Sequence, residues 1–300
     1  MSDSRRGASL SVRALAKINL TLRVTGVCAD GYHELRTVFQ SLAVHDTLTF
    51  RHAPGPLRIE CDDPRCPTDR TNLVWRAAEG VWRAAGRRGG PRDVTIGLTK
   101  RIPLRSGLGG GSSDAAAAVR GLSRFWRAPL SADRLRAVAV SIGADVAYFF
   151  HGGTALGLDR GDRLFPLADP TPRWVALVVP AFGVSTKDAY GWFDAEDPPS
   201  RVPSRPRVSP VLGLPADDFR NDLEPPVVAH HPEIARIARA LRRLGAEYAA
   251  MSGSGSAVFG LFRSKPEAQG AVTALARAGR RALVTRTVSR AEYGALSAPR

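Results

Sequence analysis

A glycine-rich run that leads into an alanine-rich stretch is the feature that most restricts the fold of this chain. Residues 107–119 read GLGGGSSDAAAAV, and glycines let a backbone take positive φ values and approach a ligand closely. The alanines favour a helix, which we expect Ser112 or Ser113 to cap. Residues 94–98, before the run, alternate like a strand. A strand, a loop of bare amides and a helix start together predict a phosphate site.

Glycine–serine runs are also typical of flexible linkers. A linker joins two finished domains, whereas this run lies between a predicted strand and a predicted helix. The chain contains no GxxxxGK[ST] pattern, so the loop is not a Walker loop. The run also fails the GxGxxG pattern, because Ser112 stands where the third glycine would be. A dinucleotide-binding fold is therefore disfavoured.

Length and composition are compatible with one large domain or two ordinary ones, since 44% of the 300 residues are hydrophobic. Strands and helices are mixed without a regular βαβ alternation, which favours the α+β class. No apolar run is long enough to span a membrane or form a signal peptide, so we expect a cytoplasmic protein. The three cysteines lack the companions of a zinc site, and we expect reduced thiols.

The charge balance allows more than one interpretation. Lys and Arg number 43 against 28 Asp and Glu, a net charge of +15. Such an excess is typical of nucleic-acid binding, of an anionic substrate, or of a basic solvated surface. The basic residues are scattered and almost all are arginines, with no basic arm. We therefore favour a solvated basic surface and expect neither a nucleic-acid partner nor a membrane partner.

Several elements follow from periodicity and from cap and turn residues. We expect helices after caps at Thr71 and Ser131, the first ending at Gly86. Further helices are predicted to begin at Pro232 and to span residues 266–278. Strands are predicted at 11–24, 38–50, 57–61, 174–179, 257–262 and 282–288. Residues 196–215 are rich in proline and arginine and predict a long loop.

Motifs spread along the chain carry a resemblance to a known family. Residues 16–20 read AKINL, residues 30–35 read DGYHEL, residues 103–114 hold the glycine run, and residues 251–256 read MSGSGS. This pattern resembles the GHMP kinases, named for galactokinase and the homoserine, mevalonate and phosphomevalonate kinases. The resemblance implies a two-domain α+β fold with the active site in the cleft. The ribosomal-protein-like N-terminal domain would span residues 1–166 and the ferredoxin-like C-terminal domain residues 167–300.

Additional segments narrow the resemblance to one branch of the superfamily. Residues 143–146 read GADV, 152–155 read GGTA and 221–224 read NDLE. They are similar to the branch that phosphorylates the 2-hydroxyl of a cytidine diphosphate conjugate of methylerythritol, in non-mevalonate isoprenoid synthesis. The resemblance implies ATP and Mg²⁺ as cofactors, the conjugate as small-molecule partner, and a monomer or homodimer. A homoserine or mevalonate type of GHMP kinase is the alternative.

The resemblance also implies two catalytic residues. Asp145 matches the family's catalytic base, although an aspartate after Gly-Ala is by itself most often a helix cap. Lys17 matches the lysine that accompanies this base, although a lone strand lysine usually only directs its ammonium to solvent. Placed together, the ammonium would favour the alkoxide that develops as the base takes the proton.

The remaining implied site residues bind nucleotide or substrate. Those expected to bind ATP are Pro103, Gly107, Leu108, Gly109, Gly110, Gly111, Ser112 and Ser113, with Asn72 and Lys100 near the adenosine. Those expected to bind the conjugate are Asn19, Tyr32, His33, Thr186 and Tyr190. Ser113 is the one residue considered as a Mg²⁺ ligand. Leu104 and Arg105 depart from the family's small residues, and Ala147 stands where a proline is common.

Overall fold

Two β-sheets form the framework of the computed structural model, which describes residues 9–28, 31–128, 130–195, 219–277 and 279–300. In these residues the first sheet has six strands: β1 (Leu10–Val27), β2 (His33–Arg51), β3 (Arg58–Cys61), β4 (Thr95–Thr99), β5 (Thr154–Leu158) and β6 (Arg163–Pro166). Their order is β3-β4-β2-β5-β6, with β1 paired to β2 and only β3 and β4 parallel. The second sheet is antiparallel, in the order β10 (Arg280–Arg286), β7 (Trp174–Pro180), β9 (Val258–Phe262) and β8 (Tyr248–Met251).

Helices cover the outer faces of both sheets. In the first half of the described chain they are α1 (Leu73–Ala84), α2 (Gly110–Phe125), α3 (Ala132–Ile142) and α4 (Ala144–His151). In the second half they are α5 (Thr186–Ala195), α6 (Glu224–His230), α7 (Glu233–Arg243), α8 (Lys265–Leu275) and α9 (Arg290–Ser297). This mixture of elements is α+β, as predicted.

The alternation of β7 shows how the layers pack. Val175 and Leu177 join a buried cluster that contains Ile18 of the first sheet, whereas Ala176 and Val178 pack in the cluster beneath α7 and α8. Successive strand residues point to opposite faces, so the two sheets lie face to face with a shared apolar core. Each sheet thus has one face toward its partner and one toward helices.

An irregularity in β1 decides which of its side chains reach the site. The pairing with β2 shifts between Leu15 and Lys17. Before the shift, Ala14 belongs to the core under the helices of the first half; after it, Ile18 lies between the sheets. A one-residue slip exchanges the two faces of a strand. Lys17 and Asn19 therefore face the interior of a cleft instead of the core.

The predicted elements occur, with corrections at several ends. The first helix is capped by Asn72, whose side chain accepts from the Val74 N–H, and not by Thr71, whose hydroxyl donates to Asp69 at 2.5 Å. The cap at Ser131 is confirmed.

The ends of two later elements differ from the prediction. The predicted helix over 266–278 ends at Leu275, and the strand predicted at 282–288 spans Arg280–Arg286. The predicted loop at 196–215 lies outside the described residues.

The serine cap predicted for the glycine run is wrong. Helix α2 begins at Gly110, its N-cap is Gly109 in the left-handed region, and no side chain caps it. Both Ser112 and Ser113 lie within the first turn. Ser113 is buried and donates to the Leu15 carbonyl at 2.6 Å, because strand β1 runs directly beneath the helix start.

The last helix returns to the first sheet. Tyr293 of α9 is buried in the core formed by the first half of the chain, and Arg300 pairs with Ser11 through two backbone hydrogen bonds. Strand β6 ends at Pro166 and β7 begins at Trp174, which brackets the predicted domain break. The division of the chain at residue 166 stays a prediction.

Candidate active site

A cavity of about 650 Å³ opens where the two halves of the molecule meet. Strands β1 and β2, the glycine loop, the start of α4 and a loop after β8 line it. The structure brings most of the sequence-predicted site residues to this cavity: Lys17, Asn19, Lys100, Pro103, Gly107, Leu108, Gly109, Gly110, Gly111, Ser112, Asp145, Thr186 and Tyr190.

The glycines of the loop are required by close packing. Gly107 and Gly109 have φ values of 75° and 72°. A Cβ on Gly107 would lie 2.0 Å from the Ser252 carbonyl oxygen, and one on Gly109 would lie 3.0 Å from the Lys17 side chain. Side chains at these positions would collide with these neighbours. The loop therefore presents backbone to the cavity at the uncapped N-terminus of a 16-residue helix.

The second glycine–serine segment, residues 252–256, lies against the glycine loop. Ser252 donates its hydroxyl to the Gly107 carbonyl at 3.0 Å, and the Ala257 N–H donates to the Ser106 carbonyl at 3.0 Å. Asn221 supports this segment from behind, donating its amide to the Gly253 carbonyl at 2.7 Å. Residues 252–256 therefore lie directly beside the glycine loop.

Lys17 and Asp145 meet inside the cavity. The Lys17 ammonium lies 3.5 Å from a carboxylate oxygen of Asp145. Lys17 is buried, while the Asp145 side chain is 39% exposed and faces the open space. Asp145 is held in the first turn of α4, where the helix dipole favours a carboxylate. This arrangement can take a proton from a bound hydroxyl and stabilise the resulting negative charge.

Lys100 is enclosed by carboxylates. Its ammonium donates to Asp46 at 2.5 Å and to Asp114 at 2.6 Å, and all three side chains are buried. Burial alone would lower the pKa of Lys100, but the two carboxylates outweigh it and raise that pKa. Burial raises the pKa of Asp114 to about 7, with Lys100 opposing and Asp46 adding to the shift. The predicted contact of Lys100 with adenosine stays a prediction.

Asn72 and Ser113 do not line the cavity. The Asn72 amide donates to the Pro67 carbonyl at 2.6 Å while its oxygen caps α1. The Ser113 hydroxyl donates to the Leu15 backbone. Both side chains are buried and bonded within the protein, so their structural roles are clear, and their roles toward adenosine and Mg²⁺ stay predictions.

Four of the residues predicted to bind the conjugate lie around the outer end of the cavity. The His33 ring stacks on Tyr190, with centroids 4.5 Å apart, and its Nε2 lies 2.7 Å from Asp194. Tyr32 is 62% exposed. The Thr186 hydroxyl lies 3.3 Å from that of Ser254, so α5 touches the glycine–serine segment. His33 and Tyr32 lie near the cavity without lining it.

Sequence reasoning missed several polar residues that line the cavity, among them Arg160 and Thr37. Arg160 lies in a tight turn, and its guanidinium carbon is 4.4 Å from the centre of the Tyr32 ring. Thr37 of β2 is buried beside Asn19. The positive φ of Asp159 and Gly161 marks the turn around Arg160, but no pattern in the sequence singles out Thr37. Arg105, noted as a departure, also lines the cavity, with φ of 50°.

The described residues contain no group of three or more His, Cys, Asp or Glu side chains placed to hold a metal ion. The three cysteines are free thiols, as expected. Burial, and to a smaller extent a hydrogen bond with Cys61, raise the pKa of Cys66 to about 12, so this thiol stays protonated at neutral pH. No described helix is long and apolar enough to cross a membrane.

Comparison with known families agrees with the fold and the cavity. The model of the GHMP kinase N-terminal domain matches residues 72–153, which include the glycine loop and Asp145, and the model of the GHMP kinase C-terminal domain matches residues 211–281. The class of protein is therefore a GHMP kinase, with the two-domain fold that the motifs implied.

Individual relatives narrow this class. A 4-diphosphocytidyl-2-C-methyl-D-erythritol kinase of Pelotomaculum thermopropionicum is 40% identical over 283 residues, 93% of this chain and 98% of that protein. A crystal structure of 4-(cytidine 5'-diphospho)-2C-methyl-D-erythritol kinase superposes with a TM-score of 0.76 at 36% identity, covering 92% of this chain and 98% of the other. The chain belongs to the 4-diphosphocytidyl-2-C-methyl-D-erythritol kinase family.

The alternative branch shares the fold alone. A homoserine kinase structure from Cytophaga hutchinsonii superposes with a TM-score of 0.67 over 96% of both chains, but at only 23% identity. The predicted family and the assignment to the phosphotransferases are confirmed. These comparisons do not assign roles to individual residues.

Proposed function

We propose that this protein transfers the γ-phosphoryl group of ATP to the 2-hydroxyl of 4-diphosphocytidyl-2-C-methyl-D-erythritol. One observation carries the proposal: the Lys17–Asp145 pair, at 3.5 Å, lies in the same cavity as the glycine loop. Phosphoryl transfer requires a phosphate seat, a group that accepts the hydroxyl proton, and positive charge at the reacting oxygens. The cavity supplies all three.

Asp145 is the proposed base. Its exposed carboxylate can lie within hydrogen-bond reach of a bound hydroxyl, which is the first requirement of a general base. Lys17 is buried behind it and oriented by Asn19, so its charge is preorganised. As the hydroxyl proton moves to Asp145, the ammonium stabilises the attacking oxygen.

The glycine loop is the proposed triphosphate seat. Backbone N–H groups at the start of α2 lack intrahelical partners and lie at the positive end of the helix dipole. Gly107 allows the loop to pack closely on residues 252–255, and Gly109 allows it to pack on Lys17 of β1, since any side chain there would collide with these neighbours. Arg105 and Lys17 add positive charge on the same cavity wall.

A Mg²⁺ ion fits this cavity only as an ion held largely by phosphate oxygens and water. Mg²⁺ in kinase sites is commonly bound through one or two protein oxygens together with substrate phosphates. The described lining offers the Asp145 carboxylate and the Ser112 hydroxyl. Ser113 fits less well, because its hydroxyl is committed to Leu15. Mg²⁺ would neutralise charge on the transferred group.

The cytidine end of the substrate is proposed to bind near His33 and Tyr190. Their stacked rings form an aromatic wall, and Tyr32 lies nearby with Arg160 over its face. A guanidinium is well suited to phosphate oxygens. We assign Arg160 to the diphosphate of the conjugate and expect Arg160→Met to raise the KM for the conjugate while leaving the KM for ATP near the wild-type value.

The cell compartment and the assembly are further parts of the proposal. ATP supply and free thiols favour the cytoplasm. The cavity described above is built from one chain, so a monomer or a homodimer is compatible with it.

The decisive experiment is a coupled ADP-release assay with purified protein. We expect ATP-dependent turnover of the cytidyl conjugate with Mg²⁺ and loss of turnover when Mg²⁺ is chelated. Mevalonate and homoserine serve as competing acceptors. Turnover of either one without turnover of the conjugate would contradict the proposed substrate.

A further inference from the structure

We infer that Thr37 is a positioning residue that orients the Asn19 side-chain amide so that its carbonyl oxygen holds the Lys17 ammonium. The inference rests on the proposed role of Lys17 beside the reacting hydroxyl. It also changes the interpretation of Asn19, which the family resemblance assigns to substrate binding.

The observation is a buried chain of three hydrogen bonds. Lys17 donates from Nζ to Asn19 Oδ1 at 2.6 Å. Asn19 donates from Nδ2 to Thr37 Oγ1 at 2.7 Å. The Thr37 hydroxyl donates to the carbonyl of Thr21 at 2.7 Å. All four residues are buried, so each bond is shielded from competition with bulk water.

The direction of this chain follows from its last member. A backbone carbonyl only accepts, so the Thr37 hydroxyl must spend its single proton on Thr21. Its oxygen is then left as an acceptor, and the Asn19 amide must turn its NH₂ toward it. The Asn19 carbonyl consequently points at Lys17. With the amide flipped, two donors would face each other at the ammonium, two acceptors would face each other at Thr37, and both hydrogen bonds of the amide would be lost.

The strand pairing makes this contact available. The register between β1 and β2 shifts between Asn19 and Thr21, after which Leu22 pairs with Thr37. The shift lets one hydroxyl on β2 reach both the Asn19 side chain and the Thr21 carbonyl. Thr37 itself lines the cavity, on the strand that pairs with the one carrying Lys17.

Substitutions at Thr37 test the inference. Thr37→Val keeps the shape but removes the hydroxyl, and Thr37→Ser keeps the hydroxyl. Without the hydroxyl the Asn19 amide is no longer held with its oxygen toward Lys17, so we expect kcat to fall about tenfold or more in Thr37→Val. Thr37→Ser should retain most of the wild-type kcat, and the KM for ATP should change little in either variant. Thr95→Val, a buried threonine of the same sheet outside the cavity, is the matched control and should keep wild-type kinetics.

A double substitution separates positioning from a general loss of packing. If Thr37 acts through Asn19, Thr37→Val should have almost no further effect on kcat in an Asn19→Ala background. A Thr37→Val variant with wild-type kcat, a Thr37→Ser variant as impaired as Thr37→Val, or additive effects in the double variant would each overturn the inference.

A crystal structure of Thr37→Val provides a measurement that does not depend on turnover. We expect the Lys17 ammonium to leave hydrogen-bond distance of Asn19 Oδ1. An unchanged Lys17–Asn19 contact would overturn the inference whatever the substrate. Failure of the wild-type protein to phosphorylate the cytidyl conjugate would instead contradict the proposed function, so the two failures are distinguishable.

Discussion

Two lysine–carboxylate clusters lie beside the glycine loop, and they differ in how they are enclosed. Lys17 meets a single carboxylate, Asp145, at 3.5 Å on the wall of an open cavity. Lys100 contacts Asp46 and Asp114 at 2.5 and 2.6 Å, and all three side chains are buried. The first cluster has a carboxylate that a ligand can reach, whereas the second has no exposed member.

This difference suggests separate roles for the same residue types. The open pair can exchange a proton with a substrate, because Asp145 is accessible and Lys17 is already oriented. The closed cluster holds the chain that leads into the glycine loop, since Asp46 accepts from the Arg101 and Ile102 N–H groups at 2.5 and 2.8 Å. A titratable cluster near a ligand site is therefore not by itself catalytic; accessibility of its carboxylate separates the two cases.

The largest expected effect is on catalysis at the open pair. Asp145→Asn removes the proposed base while keeping the size of the side chain, and general base catalysis contributes roughly 10²–10⁴-fold. We expect kcat to fall by that factor with little change in the melting temperature. The ADP-release assay and a thermal melt measure the two quantities. Near-wild-type turnover by this variant would exclude Asp145 as the base.

The closed cluster should respond in stability. Lys100→Met leaves two carboxylates buried without their counter-ion, and breaking a buried ion pair from one side costs about 3–5 kcal/mol. Urea denaturation should show a loss of that size in the free energy of unfolding. Lys187→Met, at an exposed position in α5, serves as the control and should change stability by less than about 0.5 kcal/mol. Equal stability of the two variants would show that the closed cluster does not support the fold.

Lys17→Met should separate the open pair from the closed one. Lys17 contributes preorganised charge, and loss of one such donor commonly costs about 10²–10³-fold in kcat. The remaining carboxylate, Asp145, is accessible to water, so we expect a smaller loss of stability than in Lys100→Met. Measurements of kcat and of urea denaturation on both lysine variants test whether Lys17→Met mainly lowers kcat while Lys100→Met mainly lowers the free energy of unfolding. A Lys17→Met variant that loses stability but keeps kcat would reverse the assignment.

The pH dependence of stability gives the smallest and most specific test. The pKa of Asp114 is raised by burial from 3.8 to about 7, so between these values the native state binds a proton that the unfolded state has released. The free energy of unfolding therefore falls as pH rises between these two values, by at most about 1.4 kcal/mol per pH unit from this group.

Asp114→Asn removes this titration while leaving the site uncharged. In urea denaturation, the free energy of unfolding of the variant minus that of the wild type should therefore be larger at pH 8 than at pH 5. The same difference between variant and wild type at pH 5 and at pH 8 would mean that Asp114 is already ionised in the native state across this range.

Much of the site could be predicted because its motifs are local. The glycine loop depends on residues next to one another, and a bare backbone that turns into a helix has few alternatives. Caps were less predictable. Thr71 and Asn72 are both good N-cap residues, and the choice of Asn72 depends on Asp69 engaging the Thr71 hydroxyl.

The sequence by itself determined the glycine loop that leads into a helix, the α+β class and, through its motifs, the family of this kinase. Only the tertiary structure decided that Lys17 and Asp145 meet, that Lys100 is neutralised, and that Thr37 fixes the Asn19 amide. The physical reason is that local patterns reflect backbone preferences between neighbours, whereas these contacts depend on strand register and on the burial produced when two sheets and their helices pack together.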